Sequence, residues 1–186
     1  MAVMATSLRQ VGGKLRGNRV LPFMTTRSLL LVLLSVPSLV MGCITPEVPL
    51  SITKAIEHDY PSWTPVALSN LGEYERNLWL AKTNGCPGSV TGHFVPGVER
   101  SYAFALTKKE KNGVLRVGVV YWVGSDNASH SQVFVPAANA LNIPVVWKLH
   151  GKRSASLDEI VWEVIEVGSS AYRWRDGRFV SRVLSY

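Results

Sequence analysis

The chain has 186 residues, with 20 lysines and arginines, 13 aspartates and glutamates, and two cysteines. Five of the basic residues, Arg9, Lys14, Arg16, Arg19 and Arg27, fall in the first 42 positions, where there is no acid; the other 144 residues carry 15 basic against 13 acidic side chains, a net charge of only +2. That near balance removes the main support for general nucleic-acid binding, and 144 residues suffice for one domain burying about 68% of its unfolded surface.

The basic start is followed by an apolar run from Ser28 to Met41, interrupted by Pro37 and ending in Gly42-Cys43. A basic segment, a short apolar core and small residues at the end predict a signal peptide over residues 1–42 rather than a membrane span. Met24 is an alternative start, because MTTRSLLLVLLSVPSLVMGC alone has signal-peptide proportions. Val40-Met41-Gly42-Cys43 resembles a bacterial lipobox, which implies lipidation of Cys43, an anchor in the membrane and, with Ile44 next, the outer membrane. The other reading leaves Cys43 free to pair with Cys86 in an oxidising compartment. Both readings place the protein in the cell envelope, facing the periplasm or released as a soluble or secreted protein.

Residues 43–49 read as a tether, and residues 50–186 as a single domain. Leu50–His58 has apolar residues at 52, 55 and 56 and predicts a short helix capped by Ser51 and broken at Tyr60-Pro61. A second helix is predicted from Ser69 to about Lys82, with Leu71, Tyr74, Leu78 and Trp79 on one stripe and Asn84-Gly85 at its end. Ser89 to Trp122 reads as three antiparallel strands. Tyr102, Phe104 and Leu106 alternate with small residues, Leu115, Val117, Val119 and Tyr121 do likewise, and Asn112-Gly113 marks the hairpin between them. Period-2 alternation puts one set on a core face and the other outward. Gly124–His130 is a polar loop. Strands follow at Val145–Leu149 and Ile160–Val167, separated by a basic turn at residues 151–156. A closing hairpin turns at Asp176-Gly177.

If that turn holds two residues, Arg175 pairs with Arg178, Trp174 with Phe179, and Ala171 with Arg182. Directly opposed residues share a face. Tyr172, Trp174 and Phe179 are therefore predicted to point inward, and Arg173, Arg175, Arg178 and Arg182 outward. The outer set reads either as a solvated edge or as a docking face for an anionic lipid surface or an acidic protein.

Two blocks carry a resemblance. Cys86-Pro87-Gly88 with Gly92–Ala103, and Ile160–Glu163 with Ser169–Phe179, are similar to segments of small bacterial envelope proteins bearing one FG-GAP/VCBS-type segment, a group largely without known function. In that group alternate acidic or amide side chains of the loop can hold calcium. Here the corresponding positions are His93, Val95, Gly97 and Ser101, and Glu99 is the loop's single carboxylate. One carboxylate and a serine do not supply the 6–8 oxygens calcium takes, so no metal and no cofactor is expected.

The remaining chemistry is thin. Cys86 and His93 match no nucleophile-and-base signature, and His58, His93, His130 and His150 lack zinc-ligand spacing. Asp158-Glu159 and Glu163/Glu166 point to opposite sides of a strand or turn, which argues against an acid–base pair. No small-molecule substrate is indicated. The expected fold is α+β, with two N-terminal helices packed on a mainly antiparallel sheet of six or seven strands. The expected function is a non-enzymatic envelope lipoprotein that binds a partner, in the manner of an immunity or inhibitor protein. An envelope hydrolase using Cys86 or a histidine, and a purely structural lipoprotein, are the alternatives.

Overall fold

The computed structural model describes residues 42–151 and 156–185. The expected signal peptide, Met24 included, lies outside the described residues apart from Gly42, as does most of the basic turn after Gly151. Twelve elements follow in order: α1 (Leu50–Asp59), β1 (Thr64–Pro65), a 3-10 turn (Leu68–Asn70), α2 (Glu73–Lys82), β2 (Ser89–Gly92), β3 (Ser101–Glu110), β4 (Gly113–Val123), β5 (Ser129–Ala140), β6 (Pro144–Leu149), β7 (Glu159–Val164), β8 (Gly168–Arg175) and β9 (Arg178–Ser185).

This is a mostly-β protein, not the α+β fold expected. The strands form two antiparallel sheets: β1-β3-β4-β5, with β2 also on β3, and the meander β6-β7-β8-β9. The two helices sit within the chain, not at its N-terminus, and are ten residues each. They bury little: Ile52 and Ile56 from α1, Trp79 from α2. The stripe expected on α2 fails because the helix starts four residues late. The Asn70 side chain accepts the Ala67 N–H, and the Arg76 guanidinium donates to the carbonyls of Leu68 and Leu71 (both 3.1 Å). Those bonds hold Leu68–Leu71 in a tight turn that leads into extended backbone at Leu71. Leu71 is buried from outside the helix, while Tyr74 and Leu78 face solvent.

The central pair β3 and β4 has the expected alternation, with a different outcome. Tyr102, Phe104, Leu106, Val117, Val119 and Tyr121 form one core with α1. Ala103, Ala105 and Val120, on the opposite face, are also buried, in a second core against Val146, Ile160 and Trp162 of the meander. The expectation of one outward face is therefore corrected. The small side chains of β3 mark where a second sheet comes close, not where water begins.

Phe134 of β5 is the hub of that second core. Its ring meets Tyr172 at 5.1 Å, Trp162 at 5.8 Å and Phe179 at 6.1 Å, all edge-on. Edge-to-face pairs contribute about 0.5–1.5 kcal/mol each beyond burial. The ring lies on Gly118, where an added Cβ would stand 2.7 Å from Phe134 Cζ. A side chain there would displace the hub. At the other junction of the sheets, the Val146 N–H donates to the Pro87 carbonyl and the Asp158 N–H to the His93 carbonyl, both at 2.8 Å.

Residues 43 and 44 are not a free tether. Ile44 pairs with Gly85 through Ile44 N–H to Asn84 O (2.9 Å) and Cys86 N–H to Ile44 O (3.1 Å). Trp79 Nε1 donates to the Gly85 carbonyl at 2.7 Å. Cys43 and Cys86 are joined as a disulfide.

Candidate functional site

The β8–β9 hairpin supplies the most concentrated exposed charge. Its turn is set by local chemistry: Asp176 (φ 50°) and Gly177 (φ 78°) both adopt the left-handed region that a two-residue hairpin with strand-matched twist requires. The register follows from it, with Arg175 opposite Arg178, Trp174 opposite Phe179, Arg173 opposite Val180 and Ala171 opposite Arg182. On the inner face Trp174 meets Phe179 at 5.1 Å and Trp122 at 6.1 Å, and Trp122 in turn stacks on His130. These aromatic contacts hold the hairpin against the first sheet, and Gln132 Nε2 donates to the Gly177 carbonyl near its tip.

On the outer face Arg173, Arg175, Arg178 and Arg182 are all exposed. Arg182 reaches across β8, where the small Ala171 stands opposite it, to Glu159 of β7 (Nη2 to Oε2, 2.6 Å). Arg175 stands 3.5 Å from Asp176, with both side chains more than three-quarters in solvent. Among the described residues Arg173 and Arg178 have no carboxylate partner. An open basin of about 530 Å³ lies over this surface, lined by Arg173, Arg175, Arg182, Glu159 and Val180 among others. The sequence placed the four arginines on one face; the Glu159 contact spans two strand boundaries and left no local signal.

The other singled-out residues have structural work. Cys86 is committed to the disulfide and presents no thiolate, so it is no nucleophile for His93. The disulfide is the second of the two readings of Cys43 given above. Ser101 Oγ accepts the Phe94 N–H and donates to the Gly92 carbonyl, both at 2.9 Å, which closes the loop between β2 and β3 on itself. Asp158 accepts N–H groups from His93 (3.0 Å) and Gly151 (3.3 Å), with His150 Nδ1 at 3.4 Å. Burial alone would push the Asp158 carboxyl up. The two N–H donors and the charges of Lys148 and His150 outweigh it and hold the group below the usual carboxylate range. Asp158 thus turns toward the loop and Glu159 toward Arg182, as their adjacency predicted.

Glu163 is engaged by Lys82 (2.5 Å) and Trp147 Nε1 (2.6 Å), and the Lys82 ammonium sits 3.9 Å from the Trp147 ring centroid. Glu166, in the β7–β8 turn, raises the pKa of the Tyr74 phenol. His58 lies beside Asp59 and His130 beside Asp126, far apart in the chain and each in its own pair.

Two further features were not legible in the sequence. The buried Tyr121 hydroxyl donates to Asp59 Oδ2 at 2.9 Å, tying α1 to β4. Burial, and then that carboxylate, push the Tyr121 phenol well above its ordinary range. Arg116 of β4 points between the sheets toward Tyr172, and its Nε is buried without a hydrogen-bond partner. Burial lowers its pKa. The Tyr172 phenol is likewise pushed up by burial. The isolated Gly118 in an otherwise apolar strand was the available signal for the Phe134 hub, since a glycine inside a strand marks a close approach.

Among the described residues no helix is long and apolar enough to cross a membrane. No family model, no curated protein and no solved structure matches the chain.

Proposed function

We propose that the chain is an exported envelope protein that acts by binding, and that the outer face of the β8–β9 hairpin is where an acidic protein partner docks. One observation carries the reading: four exposed arginines share one face and, among the described residues, have only Glu159 and Asp176 as counter-charges. Stability does not explain the arrangement. Arg175 directly opposite Arg178 is a like-charge pair, unfavourable in a sheet, and exposed ion pairs such as Arg175–Asp176 contribute at most about 1 kcal/mol. A clustered positive field does favour encounter with an oppositely charged surface. The Cys43–Cys86 disulfide supports an oxidising compartment, as do the signal-peptide pattern of residues 1–42 and the FG-GAP-like resemblance. Of the addresses in the envelope, it favours the soluble periplasmic or secreted one over an outer-membrane lipid anchor. An immunity or inhibitor protein is the version of this reading most compatible with a charged docking face.

The test compares the native chain with a variant in which Arg173, Arg175, Arg178 and Arg182 are all glutamine, measuring melting temperature and binding to polyglutamate and to phosphatidylglycerol vesicles. The expected result is binding of polyglutamate that weakens with salt, is lost in the variant, and leaves the melting temperature unchanged. A native protein that ignores polyglutamate, or a variant that still binds it, overturns the reading. Binding to vesicles alone would put a lipid surface in the partner's place.

A further inference from the structure

The face just described ends at an open sheet edge. β9 is the last strand of the meander, and no backbone hydrogen bond joins it to β5 among the described residues. Which of its main-chain groups are free follows from the turn. In an antiparallel ladder, opposed residues alternate between pairs that exchange hydrogen bonds and pairs that do not. The Arg175–Arg178 pair flanking the two-residue turn is of the first kind, so Arg173–Val180 and Ala171–Arg182 are too. Phe179, Ser181 and Val183 therefore direct their N–H and C=O groups away from β8. At Phe179 the ring of Phe134 stands beside the strand. At Ser181 and Val183 the chain is exposed, Val183 to 54%, and Val180 between the arginines is 41% exposed. A strand with free main-chain groups and exposed valines is a template for another strand.

We propose that β9 takes an extended acidic segment of a partner protein as an added strand, pairing with the main chain of Ser181 and Val183 while alternate acidic side chains meet Arg178 and Arg182. The proposal rests on the arginine face being the docking surface and specifies how it is used. Alternation decides the chemistry of the occupant. On a strand laid beside β9, every second side chain falls on the outer face, next to Arg178, Val180 and Arg182. The intervening ones fall on the side of Phe179 and Ser181, where apolar or small residues fit. Strand addition gains affinity from main-chain bonds and specificity from the alternate side chains.

A second copy of this chain does not fit. Antiparallel self-pairing about Ser181 sets Val180 against Arg182 and brings a second set of arginines onto the same face, adding repulsion where nothing offsets it. A lipid surface uses the arginines but not the strand edge.

The experiment measures binding of a labelled alternating Glu-Val octapeptide to the full chain. Comparison peptides are the same sequence N-methylated at alternate residues, a Lys-Val counterpart and polyglutamate. Ser181→Pro removes an N–H that faces solvent and is tolerated at an edge, so its melting temperature should stay near that of the native chain. Both Ser181→Pro and N-methylation should weaken Glu-Val binding about tenfold or more, as the loss of main-chain bonds across the interface implies. The Lys-Val peptide should not bind. If Ser181→Pro does not fold, the N-methylated peptide probes the same main-chain bonds on the native chain. Glu-Val and N-methylated peptides binding equally, with both lost in the four-glutamine variant, would overturn the strand pairing and leave the arginine face standing. Absence of binding by Glu-Val and polyglutamate alike would overturn both.

Discussion

Removing the Phe134 ring should cost the domain about 3–5 kcal/mol. The side chain is 6% exposed and makes three edge-on aromatic contacts. Burying a phenylalanine contributes about 1.5–3 kcal/mol, the aromatic pairs add to it, and truncation to alanine leaves a cavity that a two-sheet interior closes poorly. For a domain of this size, that loss corresponds to roughly 10–20 °C in melting temperature. The glycine beneath the ring makes the reasoning sharper. Gly118→Ala alone forces a Cβ to within 2.7 Å of Phe134 Cζ and should cost about 1–3 kcal/mol, as overpacking does. In the Phe134→Ala background the same methyl enters vacated space, so Gly118→Ala should be neutral or stabilising. Urea melts of the wild type, both single variants and the double variant close the cycle. A coupling of at least about 1 kcal/mol is expected. Additivity within about 0.5 kcal/mol would show that the ring does not rest on Gly118, and the packing of the two sheets around it would be wrong.

Replacing Cys43 and Cys86 with alanine should lower stability by about 4 kcal/mol, from the chain-entropy cost of opening a loop with a sequence separation of 43; a change under about 1 kcal/mol, or acyl mass on Cys43 in protein extracted from envelopes, would refute the disulfide. Asp158→Asn should cost about 1–3 kcal/mol at neutral pH, because an amide cannot accept from both the His93 and Gly151 N–H groups. The sign with pH follows from the depressed carboxyl: its contribution is fully present above the ordinary value of 3.8 and is lost as pH falls below that toward the folded-state value. The gap between wild type and variant, read from melts at pH 7 down to pH 2.5, should therefore close below about pH 4; a gap that widens in acid would contradict the assignment.

The hairpins were legible because their signals are local. Asp176-Gly177 fixed the register of β8 and β9, and with it the side of the sheet on which each arginine stands. β5 was not legible, for reasons in the same residues. Pro136 lies in its middle, which argues against a strand, and the pairing with β4 slips on both sides of Gly118. The proline is accommodated because β5 is an edge strand, a property of the assembled sheet that no window of sequence contains. The helical stripe on α2 misled in the opposite way. Leu71 is apolar and buried, but the bonds from Asn70 and Arg76 hold it in front of the helix. The burial of both faces of β3 was hidden because Ala103 and Ala105 look the same whether they face water or another sheet.

The distribution of strands along the chain has a consequence for how the protein comes apart. Both helices and all of β1–β5 lie at or before Ala140, and all of β6–β9 at or after Pro144. Among the described residues, every strand pairing is internal to one of these two segments. The peptide that joins them passes through Leu141, which is 95% exposed. The molecule is thus two contiguous halves that recognise each other across the Phe134 core and the Val146–Pro87 and Asp158–His93 bonds. Cleavage at Leu141 severs no ladder among the described residues, so each fragment keeps its own strand pairings and only the packing and hydrogen bonds between the two sheets are left to hold the halves together.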